Sequence, residues 1–148
     1  IYMISSSDVG DQFDVHPKNK KPIGDRLSKA ALANIYDQDI HWLYPKAVKM
    51  EVKDTQVDIT FENAEGLYVL GDTINDLSIY VDGESSQILD FSIDKNHLLL
   101  NLQIGTWNEI RFVLAQTGFY TVNIYNGNHI PAIPSKLIVI HSGKQATQ

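Results

Sequence analysis

The feature that most constrains the fold of this chain is a series of short apolar runs that begins near residue 46 and continues almost to the end. The runs are rich in Val, Ile, Leu, Phe and Tyr: AVKMEV, QVDITF, LYVL, LSIYV, ILDFSI, HLLLNL, EIRFVLA, YTVNIY and KLIVI. Turn-forming stretches separate them, among them Asn63-Ala64-Glu65-Gly66, Asp82-Gly83, Asp94-Lys95-Asn96 and Asn126-Gly127. Short strands at this spacing, with no helix between them, predict an antiparallel β-sandwich or jelly-roll-like module over residues 45–148.

Residues 1–44 have a different pattern, which predicts one strand, one loop and one helix. IYMISS, residues 1–6, has the composition of a short buried strand. Beyond the loop, apolar residues recur at helical spacing and polar residues fill the other face: Ile23, Leu27, Ala30, Ala31 and Ile35 against Asp25, Arg26, Ser28 and Lys29. Pro17 and Pro22 fit only in or before the first turn of such a helix. The chain is therefore predicted to be mainly β with one N-terminal helix.

Charge and composition exclude several functions. The formal net charge of −6 argues against a nucleic-acid partner, and the basic cluster of Lys18, Lys20 and Lys21 is short. The absence of cysteine excludes disulfides, thiolate zinc sites and cysteine nucleophiles. No apolar run approaches the ~20 residues that span a bilayer. The histidines His41, His97, His129 and His141 are widely spaced, so no metal or other cofactor is expected.

The stretch DVGDQFDVHPKNKKPIGDRL, residues 8–27, carries the chemistry of the N-terminal segment. A histidine that acts as a general base on a serine hydroxyl needs a carboxylate on its other ring nitrogen. In an extended loop Asp14 points to the same side as His16, and Pro17 restrains the backbone that follows. Asp-x-His-Pro before a helix is equally compatible with a capping arrangement and an exposed histidine. The residues alone leave both interpretations open.

This segment resembles the last strand, catalytic-histidine loop and final helix of the sialate O-acetylesterase-like branch of the SGNH hydrolases. The matching elements are Asp8-Val9-Gly10, then Val15-His16-Pro17 with Lys20, then Gly24-Asp25-Arg26-Leu27. Further along, IRFVLA followed by Asn123-Ile124-Tyr125-Asn126 and Ile130-Pro131-Ala132-Ile133-Pro134 is similar to the C-terminal β segment of that family. Phe61-Glu62-Asn63-Ala64-Glu65-Gly66-Leu67 resembles its Phe-x-Asn-Ala-x-Gly-Leu turn.

The departures from the family pattern lie mainly in the β-module. Asn128-His129 replaces the usual Gly-Leu before Pro-Ala, and Arg111-Phe112-Val113-Leu114 replaces an Arg-Tyr-Ala-Trp strand. Trp42-Leu43-Tyr44-Pro45 stands where Gly-Pro usually follows the helix. These changes are typical of a divergent member and leave the histidine loop intact.

The resemblance implies a fold and an activity. Residues 1–44 would be the end of an SGNH α/β hydrolase domain, and residues 45–148 a β-sandwich module. The implied reaction is hydrolysis of acetyl esters on sugars by a Ser-His-Asp mechanism, with His16 as base and an aspartate orienting it. No Gly-Asp-Ser-like nucleophile block is present, so the implied partners are a Ser-bearing N-terminal portion of the same protein and an acetylated carbohydrate. The family also implies a secreted or periplasmic location.

The orienting acid has two candidates. Asp14 is nearest to His16, and Asp8 at the predicted strand end is the competitor. Trp42 and Trp107 either stack on a sugar or serve in packing. At the level of function, two hypotheses stand: the catalytic-histidine portion of a carbohydrate O-acetylesterase, inactive in isolation, or a non-catalytic β-sandwich module that binds glycan or is purely structural.

Overall fold

The computed structural model describes residues 1–116, 119 and 121–141. Tyr120, the first residue of the predicted run YTVNIY, lies outside these residues. The helix is α1 (Lys21–Asn34). The strands are β1 (Lys46–Lys53), β2 (Gln56–Glu62), β3 (Tyr68–Val69), β4 (Leu77–Val81), β5 (Glu84–Ser86), β6 (Ile88–Asp94), β7 (His97–Leu102), β8 (Glu109–Leu114), β9 (Ile124–Tyr125) and β10 (Ser135–Ile140).

The strands form two four-stranded antiparallel sheets and one two-stranded pair. The first sheet has the order β1-β2-β7-β6, the second has the order β10-β8-β4-β5, and β3 pairs with β9. Apolar residues alternate along the strands, as the period-two pattern predicts. Side chains of both sheets meet in one core: Val57, Ile59, Phe61, Ile79, Leu98, Leu100, Leu102, Ile110, Phe112 and Leu114. The prediction of a mainly β fold with one helix is confirmed.

Local turn chemistry sets the connections between strands. Asp82 and Gly83 both adopt positive φ, 50° and 87°, between β4 and β5, which is the geometry that suits a two-residue hairpin. Lys95 has a φ of 57° between β6 and β7. The turns predicted from these short polar stretches are therefore present.

The predicted strand at residues 1–6 does not form. Ile1, Tyr2 and Met3 are exposed, and residues 1–6 lie outside every strand that the structure describes. A strand needs a neighbour that accepts its backbone hydrogen bonds. Within the described part of the chain, none of the sheets supplies that neighbour.

The helix forms close to the predicted position, but its burial does not follow the predicted apolar face. Pro22 lies in its first turn, as expected. Arg26 and Ala30 are buried, whereas Leu27 is 53% exposed and Ile35 is 66% exposed. The prediction that the polar side, including Arg26, faces solvent was therefore wrong at Arg26. The physical reason is an ion pair with a residue of the preceding loop, which the helical pattern alone does not reveal.

Candidate active site

The histidine loop connects the first residues of the chain to α1 and is held by its own aspartates. An Oδ1 atom of Asp11 accepts the backbone N–H of Phe13 at 3.0 Å, and Oδ1 of Asp14 accepts the backbone N–H of His16 at 2.8 Å. Asp commonly caps the backbone two residues ahead in this way. Two successive turns of this kind fix the path of the loop.

The structure brings the side chains of Asp14 and His16 together. Nδ1 of His16 lies 3.5 Å from Oδ1 of Asp14, beyond the usual range for a hydrogen bond. The His16 side chain is 80% exposed and that of Asp14 is 46% exposed. The pair is thus open to solvent, with the other ring nitrogen, Nε2, on the far side of the ring from Asp14.

Asp8 has a different environment and a structural role. Nη1 of Arg26 donates to Oδ1 of Asp8 at 2.7 Å, and Nη2 donates to Oδ2 at 2.8 Å. Both side chains are about nine-tenths buried. The hydroxyl of Tyr125 donates to Oδ2 of Asp8 at 3.0 Å, and Nη1 of Arg26 also donates to the carbonyl of Ser5 at 3.0 Å. Both oxygens of Asp8 are therefore engaged away from His16.

We call Asp8, Arg26 and Tyr125 the joint, because they tie the loop, the helix and β9 together. Burial, followed by the negative charge of Asp8, raises the pKa of the Tyr125 hydroxyl. The hydroxyl therefore keeps its proton and donates to Asp8 throughout the physiological range. A buried ion pair is stable only when further hydrogen bonds satisfy its polar atoms, and the Tyr125 hydroxyl supplies such a bond to Asp8.

Two serines extend the connection between the loop and the β-module. The carbonyl of Ser7 accepts the backbone N–H of Val122 at 3.0 Å, and Oγ of Ser7 donates to the carbonyl of Ala132 at 2.6 Å. The hydroxyls of Ser5 and Ser7 lie 2.9 Å apart. Both residues are buried, so their hydroxyls serve the connection and are not open to a substrate.

A buried amide organises the neighbouring turn of the β-module. Nδ2 of Asn126 donates to the carbonyls of Leu43 and Asn63, and its Oδ1 accepts the backbone N–H groups of Asn128 and Ile130. All four contacts are 3.0 to 3.1 Å long. The side chain thus connects three chain segments at once.

Arg26, Tyr125 and Asn126 are the residues whose roles the sequence did not reveal. Each lies inside a motif that the sequence had singled out, Gly24-Asp25-Arg26-Leu27 or Asn123-Ile124-Tyr125-Asn126. Their place within these motifs was the available sign. Asp8, from a third motif, meets two of them in the joint.

The remaining candidates from the sequence have packing environments. Trp42 contacts Tyr2 edge to face with ring centroids 5.8 Å apart, and Trp107 contacts His141 in the same manner at 4.9 Å. Nδ1 of His97 lies 2.8 Å from Oδ1 of Asp58 on the outer face of the first sheet. No group of three or more His, Cys, Asp or Glu side chains with metal-binding geometry occurs among the described residues. Nor does that part of the chain contain a helix long and apolar enough to cross a membrane.

Comparison with known proteins gives a fold relationship. No family model matches the chain, and no curated protein matches it. The structure is similar to the crystal structure of XAC1771, a novel carbohydrate acetylesterase from Xanthomonas citri, with 20% sequence identity and a TM-score of 0.70. The match covers 88% of this chain and 31% of that chain.

The extent of the match bears on both parts of the chain. Residues 45–148 are 104 of the 148 residues, or about 70%, so a match over 88% extends into residues 1–44. At 20% identity the similarity shows the fold and no more. The chain has the fold of a part, about a third in length, of a carbohydrate acetylesterase.

Proposed function

We propose that this chain is the C-terminal portion of a carbohydrate O-acetylesterase of the sialate-type SGNH branch. Residues 1–44 complete the hydrolase domain, and residues 45–148 form its β-sandwich module. A preceding portion of the same protein supplies the serine nucleophile and the oxyanion-binding groups. The observation that carries the proposal is the Asp14–His16 pair, held open to solvent by its own loop on a fold shared with an acetylesterase.

In this proposal His16 acts through Nε2. Asp14 faces Nδ1, so Nε2 is the atom that takes the serine proton as the hydroxyl attacks the acetyl carbonyl. The imidazolium then donates that proton to the sugar oxygen as the sugar leaves, and in the second half-reaction His16 activates a water that releases acetate. Asp14 stabilises the imidazolium. Catalytic hydrogen bonds are often long in free enzymes and shorten with substrate, which accommodates the separation of 3.5 Å.

The exposed apolar residues of α1 support the proposal that the preceding portion packs against this helix. Its apolar stripe is only partly covered, because Ala30 is buried and Ile23 and Ala31 are half-buried, whereas Leu27 and Ile35 are exposed. Exposed apolar stripes of this kind mark surfaces that another element covers. The chain spans only 31% of the length of the acetylesterase that it resembles in fold. We propose that the Ser-bearing portion covers this stripe and pairs with residues 1–6.

We propose that the protein is secreted or periplasmic, where acetylated glycans are encountered.

The test is covalent labelling of the longer polypeptide that contains these residues, using a fluorophosphonate probe that reacts with activated serines. We expect labelling of the wild type, loss of labelling for His16→Ala, and full labelling for His41→Ala, a control histidine that is also exposed. The chain of residues 1–148 alone should remain unlabelled. Equal labelling of the His16→Ala and wild-type polypeptides would contradict the proposal and leave a non-catalytic glycan-binding or structural module as the better account.

A further inference from the structure

A cleft of about 430 Å³ lies beside the histidine loop. Two parts of the chain line it: the loop itself and the β8–β9 connection of the β-module. Its lining residues are Ser6, Gly10, Asp11, Gln12, Asp14, Val15, Pro17 and Phe119. Asp14 and the residues on both sides of His16 belong to this lining, so the cleft opens next to the candidate catalytic pair.

The lining has the mixed character that sugar rings require. Val15, Pro17 and Phe119 offer apolar surface, and Phe119 keeps 36% of its surface exposed. The C–H face of a pyranose ring packs against such surfaces, while its hydroxyls need precisely placed polar groups. Asp11 is one of these. One of its carboxylate oxygens accepts the N–H of Phe13, and the other has no hydrogen bond within the described residues.

The charge of the cleft predicts which sugars it binds. Asp11 and Asp14 line it, and none of the described residues of its lining is a lysine or arginine. A second groove of about 330 Å³, at the start of α1, contrasts with it because Lys21, Arg26 and Lys29 are among its lining residues. Two neighbouring carboxylates repel an anionic ligand. No cationic side chain of the described lining offsets that repulsion.

We propose that this cleft binds an uncharged sugar ring, with Phe119 stacking on the ring and Asp11 accepting a hydroxyl. The substrate class is then an acetylated neutral glycan, and sialic acids and uronic acids are disfavoured by their carboxylates, so the sialate-type branch proposed above describes the fold and the reaction and not the sugar. The β-module thereby contributes a specificity-determining residue to the site. This inference rests on the proposed function for its catalytic meaning, but the binding itself needs only residues of this chain.

The experiment is an NMR titration of the 148-residue chain with two disaccharides that differ by one carboxylate, cellobiose and cellobiouronic acid. We expect saturable shifts in the amides of residues 10–17 with cellobiose, and binding of cellobiouronic acid weaker by at least about threefold. Asp11→Asn should reduce the difference in affinity between the two disaccharides, because it removes one of the two negative charges. Phe119→Ala should weaken cellobiose binding by about threefold to tenfold.

Phe13→Ala is the matched control, because Phe13 belongs to the same loop, is 93% exposed and lies outside the cleft lining. It should bind cellobiose as the wild type does. The inference is overturned if neither disaccharide gives saturable shifts, if the charged one binds as tightly, or if Phe13→Ala weakens binding as much as Phe119→Ala. Serine labelling of the longer polypeptide needs no sugar, so the proposed function and this inference fail separately.

Discussion

Arg26 and Asp8 form a charged pair in a place where an unpaired charge would be strongly unfavourable. Both side chains are about nine-tenths buried, and removing one member of such a pair leaves the other desolvated. The two parallel N–H···O contacts, the Tyr125 hydroxyl and the Ser5 carbonyl satisfy the polar atoms of the pair. These hydrogen bonds therefore offset the cost of removing the two charges from water.

The roles of these residues were out of reach of the sequence for a simple reason. Tyr125 and Asp8 are 117 positions apart, and helical periodicity carries information over only a few turns. Asp8 therefore remained a candidate for the triad, and Arg26 was assigned to the exposed face. Asp14 and His16 are two positions apart, so loop geometry alone predicted that their side chains would lie close, although their separation of 3.5 Å is longer than a hydrogen bond.

Tyr125 gives the joint a measurable pH dependence. Its folded-state pKa lies above the ordinary value of 10.0, so the unfolded chain loses this proton first as the pH rises. The stabilisation is fully present below pH 10 and declines above it. We expect the free energy of unfolding of the wild type, measured with urea, to fall toward that of Tyr125→Phe as the pH rises above 10.

The control for this measurement is Tyr36→Phe, at a side chain that is 68% exposed. Its curve should run parallel to that of the wild type. At pH 7 Tyr125→Phe should be less stable by about 1.5 to 3 kcal/mol, the usual worth of a hydrogen bond to a charged group. Parallel curves for Tyr125→Phe and the wild type would refute the assigned pKa direction.

Gly66 is required by its turn. Its φ is +71°, and an added Cβ would lie 2.9 Å from the Cα atom of Gly127. Gly66→Ala should cost more than about 1 kcal/mol of unfolding free energy. Gly24→Ala, in the helix and with nothing within 4 Å of the new atom, should instead add about 0.5 to 1 kcal/mol. Thermal and urea unfolding measure both, and a similar loss in the two variants would contradict this view of the turn.

Among the elements, strands and turns were more predictable than the helix face. Period-two alternation fixes which side of a strand is apolar, and the positive φ values at Asp82 and Gly83 are local properties of those residues. The face of α1 depends instead on what it packs against. The predicted apolar face is buried at Ala30 but exposed at Leu27 and Ile35, and Arg26 of the predicted polar face is buried.

The exposed Leu27 and the buried Ala30 of α1 should respond differently to substitution. Leu27→Gln keeps helix propensity and removes an exposed side chain, so the free energy of unfolding should change by less than about 0.5 kcal/mol. Ala30→Leu forces a larger side chain into a buried position and should cost about 1 to 3 kcal/mol. Urea unfolding of this chain distinguishes them. A larger loss for Leu27→Gln would mean that the helix packs through its apolar stripe.

At the scale of the whole molecule, the joint makes the helix-bearing segment and the β-module one structure. A helix of 14 residues is marginal by itself in water, and its stability therefore depends on Arg26 and the contacts of Ser7. The histidine loop lies between these contacts along the chain. The β-module thus holds the loop in place, which no inspection of separate sequence segments could establish.

Breaking the joint should uncouple the two parts. Arg26→Met leaves the Asp8 carboxylate buried without its partner, so we expect fast hydrogen exchange across residues 21–34 while β2 and β7 stay protected. Lys29→Met, about one turn further along the same helix, should leave the exchange pattern unchanged. Retained protection of α1 in Arg26→Met would show that other contacts hold the helix.

The measurement that tests the central claim most directly is kcat/KM for aryl acetate hydrolysis by the longer polypeptide with substitutions at His16 and Asp14. We predict a loss of about 10⁴-fold or more for His16→Ala and about 10³- to 10⁴-fold for Asp14→Asn, with folding intact in both. Hydrolysis at the wild-type rate by folded His16→Ala would contradict the account, because the histidine loop would then have no part in catalysis.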